Sequence, residues 1–217
     1  RKKVLIVEPT FSEYRDACRS YECQIDHVIL SSTNDWQLNV DELIEKMKTN
    51  HYAAMFICHP NNPTGCIYNR EHLLTIIREA EQFGTTVIID EAFYDFCTET
   101  MTVAPYIKQC SNLVVLRSLT KMFSIAGIRL GYALMNENLA TKLAKRQHPW
   151  NINGIAQAIG ITLFSEQSFV INTAIKIADE RKRLFQQLTS IGYEVSPSVV
   201  NYYLLKEYEE EEALELF

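Results

Sequence analysis

Short apolar runs along this chain alternate with stretches whose apolar positions recur at helical spacing. Residues 4–7 are apolar and closed by Pro9, and residues 11–21 carry apolar side chains every three or four positions, so the opening reads as strand then helix. The unit repeats with a strand over 25–30 and a helix over 40–47, the latter preceded by Asn39 as a capping candidate. Residues 53–58 are almost continuously apolar, which predicts a strand buried on both faces. An amphipathic helix follows over 69–83, with Asn69 as cap and Gly84 as its end. Further strands are predicted over 86–89, ending at Asp90, over 113–116 and over 130–135, before a helix over 139–146. Such alternation is the mark of an α/β sheet covered on both faces, although the pattern alone leaves strand direction open.

Pro149 interrupts this rhythm. From Ile152 a long helical pattern passes through Ile159, Phe164, Phe169, Ala174, Ile177 and Leu184, with a break expected between Ser165 and Ser168 and a stop at Gly192. Residues 193–195 and 202–205 then read as two short strands around the turn Ser196-Pro197-Ser198. The expected division is a large domain over 1–148, and a linking helix with an incomplete small domain over 149–217. Both ends read as cut, since a strand begins almost at once and the glutamate run at 209–212 opens a helix with no room to finish.

Composition narrows the classes. With 217 residues, 47% of them hydrophobic, the chain can bury a sizeable core. Its formal charge of -6 and the absence of a long basic block give no reason to expect nucleic acid. Six scattered cysteines, none in a C-x-x-C pair, fit a reducing compartment and predict no metal site. No apolar run reaches the roughly 18 residues of a membrane span, so a cytoplasmic protein is expected, without a membrane partner.

In an open α/β sheet ligands bind beyond the carboxyl ends of the strands. Four segments sit at such places: His59-Pro60-Asn61-Asn62-Pro63-Thr64-Gly65, Asp90-Glu91-Ala92-Phe93, Ser118-Leu119-Thr120-Lys121 and Ala126-Gly127-Ile128-Arg129. Each has an ordinary explanation alone, as a turn, a helix cap or an exposed lysine. Together they offer an amine, a carboxylate, an amide, a hydroxyl and a guanidinium. That inventory suits pyridoxal phosphate: Lys121 for the aldehyde, Asp90 for the ring nitrogen, Asn62 for the phenolic oxygen, and Ser118 with Arg129 for the phosphate. Neither a G-x-G-x-x-G nor a P-loop motif is present to favour a dinucleotide or a nucleoside triphosphate.

The run from Ser118 through Lys121 to Arg129-Leu130-Gly131-Tyr132, with the asparagine turn and the Asp-Glu-Ala run before it, resembles the fold-type I pyridoxal-phosphate enzymes of the class I/II aminotransferase family. The resemblance is greatest to the branch holding histidinol-phosphate aminotransferase and threonine-phosphate decarboxylase. It implies a mostly parallel sheet flanked by helices, a cofactor-binding large domain with part of a small α+β domain, and a homodimer. Lys121 would carry the cofactor as a Schiff base and move the proton, Asp90 would pair with the ring nitrogen, and Asn62 would meet the phenolic oxygen. Ser118, Arg129 and Thr120 would bind the phosphate. Phe11 matches the aromatic residue that stacks on the ring, though it also reads as an ordinary core aromatic. Asn151 and Asn153 lie where the family's domain junction approaches the substrate. The Lys121 amine is expected to be desolvated beside the phosphate site.

One departure stands out. Many aminotransferases of the family carry a tyrosine three residues after the ring aspartate, and this chain has Phe93. Tyr94 is a poor substitute if the segment is extended, because neighbouring side chains then point to opposite faces. Phe93, the segment from Glu8 to Tyr14 and His148-Pro149-Trp150-Asn151 resemble threonine-phosphate decarboxylases more than histidinol-phosphate transaminases. The resemblance therefore implies decarboxylation of O-phospho-L-threonine, as in cobalamin biosynthesis. Transamination of histidinol phosphate or another amino acid is the alternative, and an inactive or truncated family member is a second one.

Overall fold

The computed structural model describes residues 1–206. Its main sheet has six strands: β1 Lys3–Glu8, β2 Gln24–Ile29, β3 Ala54–Cys58, β4 Thr86–Asp90, β5 Leu113–Ser118 and β6 Gly131–Met135. Their order across the sheet is β2-β1-β3-β4-β5-β6. The first five are parallel and β6 runs antiparallel to β5. This sign change at the edge follows from the connection: the chain between β5 and β6 forms only a single helical turn, α4 (Leu119–Met122), and a 3-10 turn at Ala126–Ile128. A parallel return would need a crossover element long enough to traverse the sheet.

Three helices interleave with the parallel strands: α1 Glu13–Ser20, α2 Val40–Thr49 and α3 Arg70–Gln82. As expected, the Asn39 side chain caps α2 and that of Asn69 caps α3, each accepting backbone N–H bonds from the first turn. Alternation along each strand then sorts the core. Leu5, Val7, Met55, Ile57, Val87 and Ile89 pack with Leu43, Met47, Leu73, Ile76 and Ile77 of α2 and α3. Residues of opposite parity, Val4, Ile6 and Cys58, pack with Tyr14 and Cys18 of α1. Each such aliphatic side chain, once buried, stabilises the sheet by roughly 1.5–3 kcal/mol.

Beyond β6 the chain is helical: α5 Glu137–Ala144, α6 Gly154–Leu163 and α7 Gln167–Ser190, followed by a two-stranded ladder of β7 Glu194–Val195 and β8 Leu205–Lys206. The helical pattern from Ile152 breaks where expected, α6 and α7 being bent by 78°. The strand expected over 202–205 reduces to Leu205–Lys206, because Tyr202 and Tyr203 turn their rings onto Phe93 and Phe185 instead of joining a ladder. The glutamate run lies outside the described residues. No single helix among those described is long and apolar enough to cross a membrane.

Candidate active site

Strand register builds the site. Cys58 pairs with Asp90, and Asp90 with Leu116, so these three side chains share one face of the sheet at its carboxyl end. Ser118 is two residues beyond Leu116 and joins them, whereas Glu91 and Arg117 fall on the opposite face. The face that carries Asp90 is the one covered by α1, which is why Tyr14 meets it.

Two cavities adjoin there and share Asp90 and Ala92. The smaller, about 60 Å³, is lined by Phe11, Tyr14, Cys58, Asn62, Phe93 and Lys121 besides the shared pair. Both Asp90 oxygens are held: Oδ1 accepts from the Ala92 N–H at 2.9 Å and Oδ2 from the Tyr14 hydroxyl at 2.6 Å. Burial, with Asp90 adding to it, pushes the Cys58 thiol up to about 12, so it is a neutral wall. The Lys121 Nζ stands 5.3 Å from the centre of the Phe93 ring. Lys121 is exposed, contrary to the desolvated amine expected, because α4 is one turn long and turns Leu119, Thr120 and Met122 inward.

The larger cavity, about 250 Å³, adds Ser118, Thr120, Arg129 and Gly131. Ser118 caps α4, its Oγ accepting from the Thr120 N–H at 3.3 Å and lying 2.8 Å from the Thr120 Oγ1. Arg129 adopts a left-handed backbone conformation at φ 56° and donates one guanidinium N–H to the Ala126 carbonyl at 3.1 Å. Gly131 allows the start of β6 to approach β5, since a Cβ there would sit 2.8 Å from the Arg117 carbonyl oxygen. A carboxylate and aromatic walls at one end, with paired hydroxyls and an arginine at the other, fit a flat heterocycle bearing an anionic arm.

Behind the sheet, Glu91 is buried and its carboxylate accepts from the Arg117 Nη2 at 2.7 Å, from the Thr102 hydroxyl at 2.7 Å and from the Val103 N–H at 3.1 Å. Burial raises the Glu91 carboxyl, and Arg117 opposes that shift. Arg117 also reaches Asp95 at 3.2 Å and stacks 4.4 Å from the Tyr94 ring centre. Tyr94 is thus no donor to the cleft. The reason differs from the one expected, since Tyr94–Phe96 is a 3-10 turn and not an extended segment. The Tyr94 hydroxyl is used on the Glu99 carbonyl and the Met101 N–H.

The Asn62 turn is clasped from the other half of the chain. The Ser196 hydroxyl donates to the Thr64 carbonyl at 2.7 Å, the Val199 N–H to the Gly65 carbonyl at 2.9 Å, and the Tyr202 hydroxyl to the Asn61 carbonyl at 3.2 Å. Gly65 has φ +72°, and a Cβ on it would collide with Ser198. Asn151 and Asn153 do not join the cleft. Asn151 is exposed, and the Asn153 side chain caps α6 through the Ala156 N–H at 2.8 Å while donating to the Ile128 carbonyl at 3.2 Å.

The sequence pattern of the aminotransferase class I and II family matches residues 1–217. The chain belongs to the class I and II aminotransferase family. It is 34% identical over 205 residues to the histidinol-phosphate aminotransferase of Caldanaerobacter subterraneus, covering 94% of this chain and 56% of that protein. To the threonine-phosphate decarboxylase of Salmonella typhimurium it is 32% identical over 207 residues, again 94% of this chain and 56% of the other. The crystal structure of the histidinol-phosphate aminotransferase from Clostridium acetobutylicum superposes with a TM-score of 0.90 at 30% identity, covering 98% of this chain and 64% of that one. The chain therefore spans a little over half the length of the curated relatives it matches.

Asn62 and Lys121 line the smaller cavity, Ser118 and Arg129 the larger, and Asp90 both. Two side chains at the site were not singled out by sequence. Tyr14 was visible only as part of a motif, because its partner lies 76 residues away and only register brings them together. Arg117 was hidden beside the lysine signature, and a buried carboxylate one residue after Asp90 was the signal that it needed a cationic partner.

Proposed function

We propose that this chain is the cofactor-binding part of a pyridoxal-phosphate enzyme that decarboxylates O-phospho-L-threonine. The observation that carries the choice of reaction is Phe93. It lines the ring end of the cleft where many family members place a tyrosine, and so withholds a phenol from the cofactor's phenolic oxygen. When bound, pyridoxal phosphate supplies an electron sink for the bond that breaks at the substrate's alpha carbon. Lys121 would anchor it covalently and hold or move a proton at Nζ. Asp90 would accept the ring N–H, Asn62 would donate to the phenolic oxygen, and Phe11 would cover the ring. Ser118, Thr120 and Arg129 would hold the phosphate. We take residues 1–148 as the cofactor-binding unit and 149–217 as part of the smaller domain, and we read the working protein as a cytoplasmic homodimer.

A second reading, transamination of histidinol phosphate, is favoured by the structural likeness, since the TM-score is 0.90 to a histidinol-phosphate aminotransferase and 0.77 to an L-threonine-O-3-phosphate decarboxylase from Porphyromonas gingivalis. The two reactions share every cofactor contact and differ in which alpha-carbon bond stands perpendicular to the ring. Carbon dioxide released from phosphothreonine and amine transfer from histidinol phosphate to 2-oxoglutarate are to be measured separately on purified protein. Carbon dioxide release without comparable transfer is expected. Rapid transfer with no carbon dioxide overturns the decarboxylase in favour of the aminotransferase, and neither product leaves the inactive family member.

A further inference from the structure

The Tyr14 ring is fixed by packing on two sides. It lies 5.3 Å from Phe56 in a stacked arrangement and meets Phe11 edge-on at 5.9 Å. With the ring held between these two neighbours and only 6% of the residue exposed, its hydroxyl donates to the Asp90 Oδ2 at 2.6 Å. Asp90 comes from the end of a central strand and its other oxygen is taken by the Ala92 N–H. An ionised carboxylate accepts at about four lone-pair positions, so two donors still leave positions free. Burial, together with Cys58 and Asp90, raises the phenol far above its ordinary value, so it stays a donor near neutral pH.

We propose that Tyr14 is a positioning residue for cofactor binding, its hydroxyl clamping Asp90 so that the free carboxylate lone pairs face the ring nitrogen of pyridoxal phosphate. The inference rests on the cofactor reading given above. Tyr14 lines the smaller cavity and not the larger one that carries Ser118, Thr120 and Arg129. Its effect passes through Asp90, by fixing the carboxylate rotamer. A hydrogen bond to a charged group carries enough free energy to change affinity about tenfold or more. Only ligands that engage Asp90 through a ring N–H should feel that change.

The test compares binding of pyridoxal phosphate with binding of its 1-deaza analogue, in which carbon replaces the ring nitrogen, to the parent protein, Tyr14→Phe, Asp90→Asn and the double variant. The parent is expected to prefer pyridoxal phosphate. Tyr14→Phe should cut that preference about tenfold while changing affinity for the analogue less than about twofold. In the Asp90→Asn background the same substitution should change nothing further, since the two residues act as a unit. An unchanged preference in Tyr14→Phe overturns the role. Equal loss of both ligands, or loss of the fold, also overturns it, because Tyr14 would then be structural only. If the parent binds neither ligand, the cofactor reading fails together with this inference. If the parent shows the preference and Tyr14→Phe keeps it, this inference fails alone.

Discussion

The sheet unit and the helical half that follows it are built on different terms. In the sheet unit, Leu5, Ile6, Leu43, Met55, Leu73, Ile76, Ile77 and Ile89 are wholly buried, and its helices close both faces. In the helical half, α5 has no buried residue and α7 buries only Ala174 in its 24 residues, while Trp150, Ile155, Ile161, Phe164 and Ile171 are exposed. The two regions meet through a few contacts, among them the Phe123–Phe169 stack, the Tyr132–Phe164 contact and the clasp on the Asn62 turn. The helical half contributes no lining residue to either cavity, yet it supports the cleft at the Asn62 turn and at Phe93, whose ring Tyr202 meets edge-on at 4.8 Å.

The largest expected effect sharpens this contrast inside the cleft. Asp90→Asn should leave the melting temperature nearly unchanged but lower turnover by about 10²–10³, the scale of losing one preorganised electrostatic partner. Turnover within about twofold of the parent would remove Asp90 from its role.

Next comes acid stability of the sheet unit. Burial lowers the His59 imidazole from 6.5 to about 4, and it is held neutral between the Tyr68 N–H and the Met101 carbonyl. Because the folded value is below the unfolded one, the unfolded chain takes up the proton first as pH falls. Stability is therefore unaffected above about pH 7 and declines between 6.5 and about 4, by up to about 3 kcal/mol. Urea unfolding across that window should show the slope in the parent and a much shallower one in His59→Gln; equal slopes would contradict the assignment.

At the seam, Gly65→Ala should cost about 1–3 kcal/mol, since φ +72° is strained for a side chain and the new Cβ meets Ser198. It should also weaken cofactor binding, through Asn62, more than the loss of stability explains. A cofactor affinity equal to the parent's would show that the clasp supports the fold alone. The smallest effect belongs to the helical half. Asn153→Ala removes a helix cap worth about 1 kcal/mol and should leave cofactor affinity unchanged. A change of more than about twofold in that affinity would return Asn153 to the site.

The same contrast governs what was legible in the sequence. Strands, helices and caps of the sheet unit follow from local periodicity and from Asn39 and Asn69, and the strand-end residues Asn62, Asp90, Ser118, Lys121 and Arg129 follow from where a parallel sheet binds ligands. Direction of β6 was not legible, because it depends on how little structure the 119–130 connection forms. The Tyr14–Asp90 and Glu91–Arg117 contacts depend on register between strands distant in sequence. Lys121 was expected to be desolvated from its chemistry, yet exposure is set by the length of α4, which no motif encodes. Asn151 and Asn153 were placed by resemblance, and the cap requirement of α6 decides what Asn153 does.

The most direct test of the account is covalent. Purified protein is mixed with pyridoxal phosphate, reduced with borohydride, digested and mapped by peptide mass. The account predicts a single stable adduct on Lys121, absent from Lys121→Ala. An adduct spread over several lysines, or one confined to a lysine other than Lys121, would contradict it.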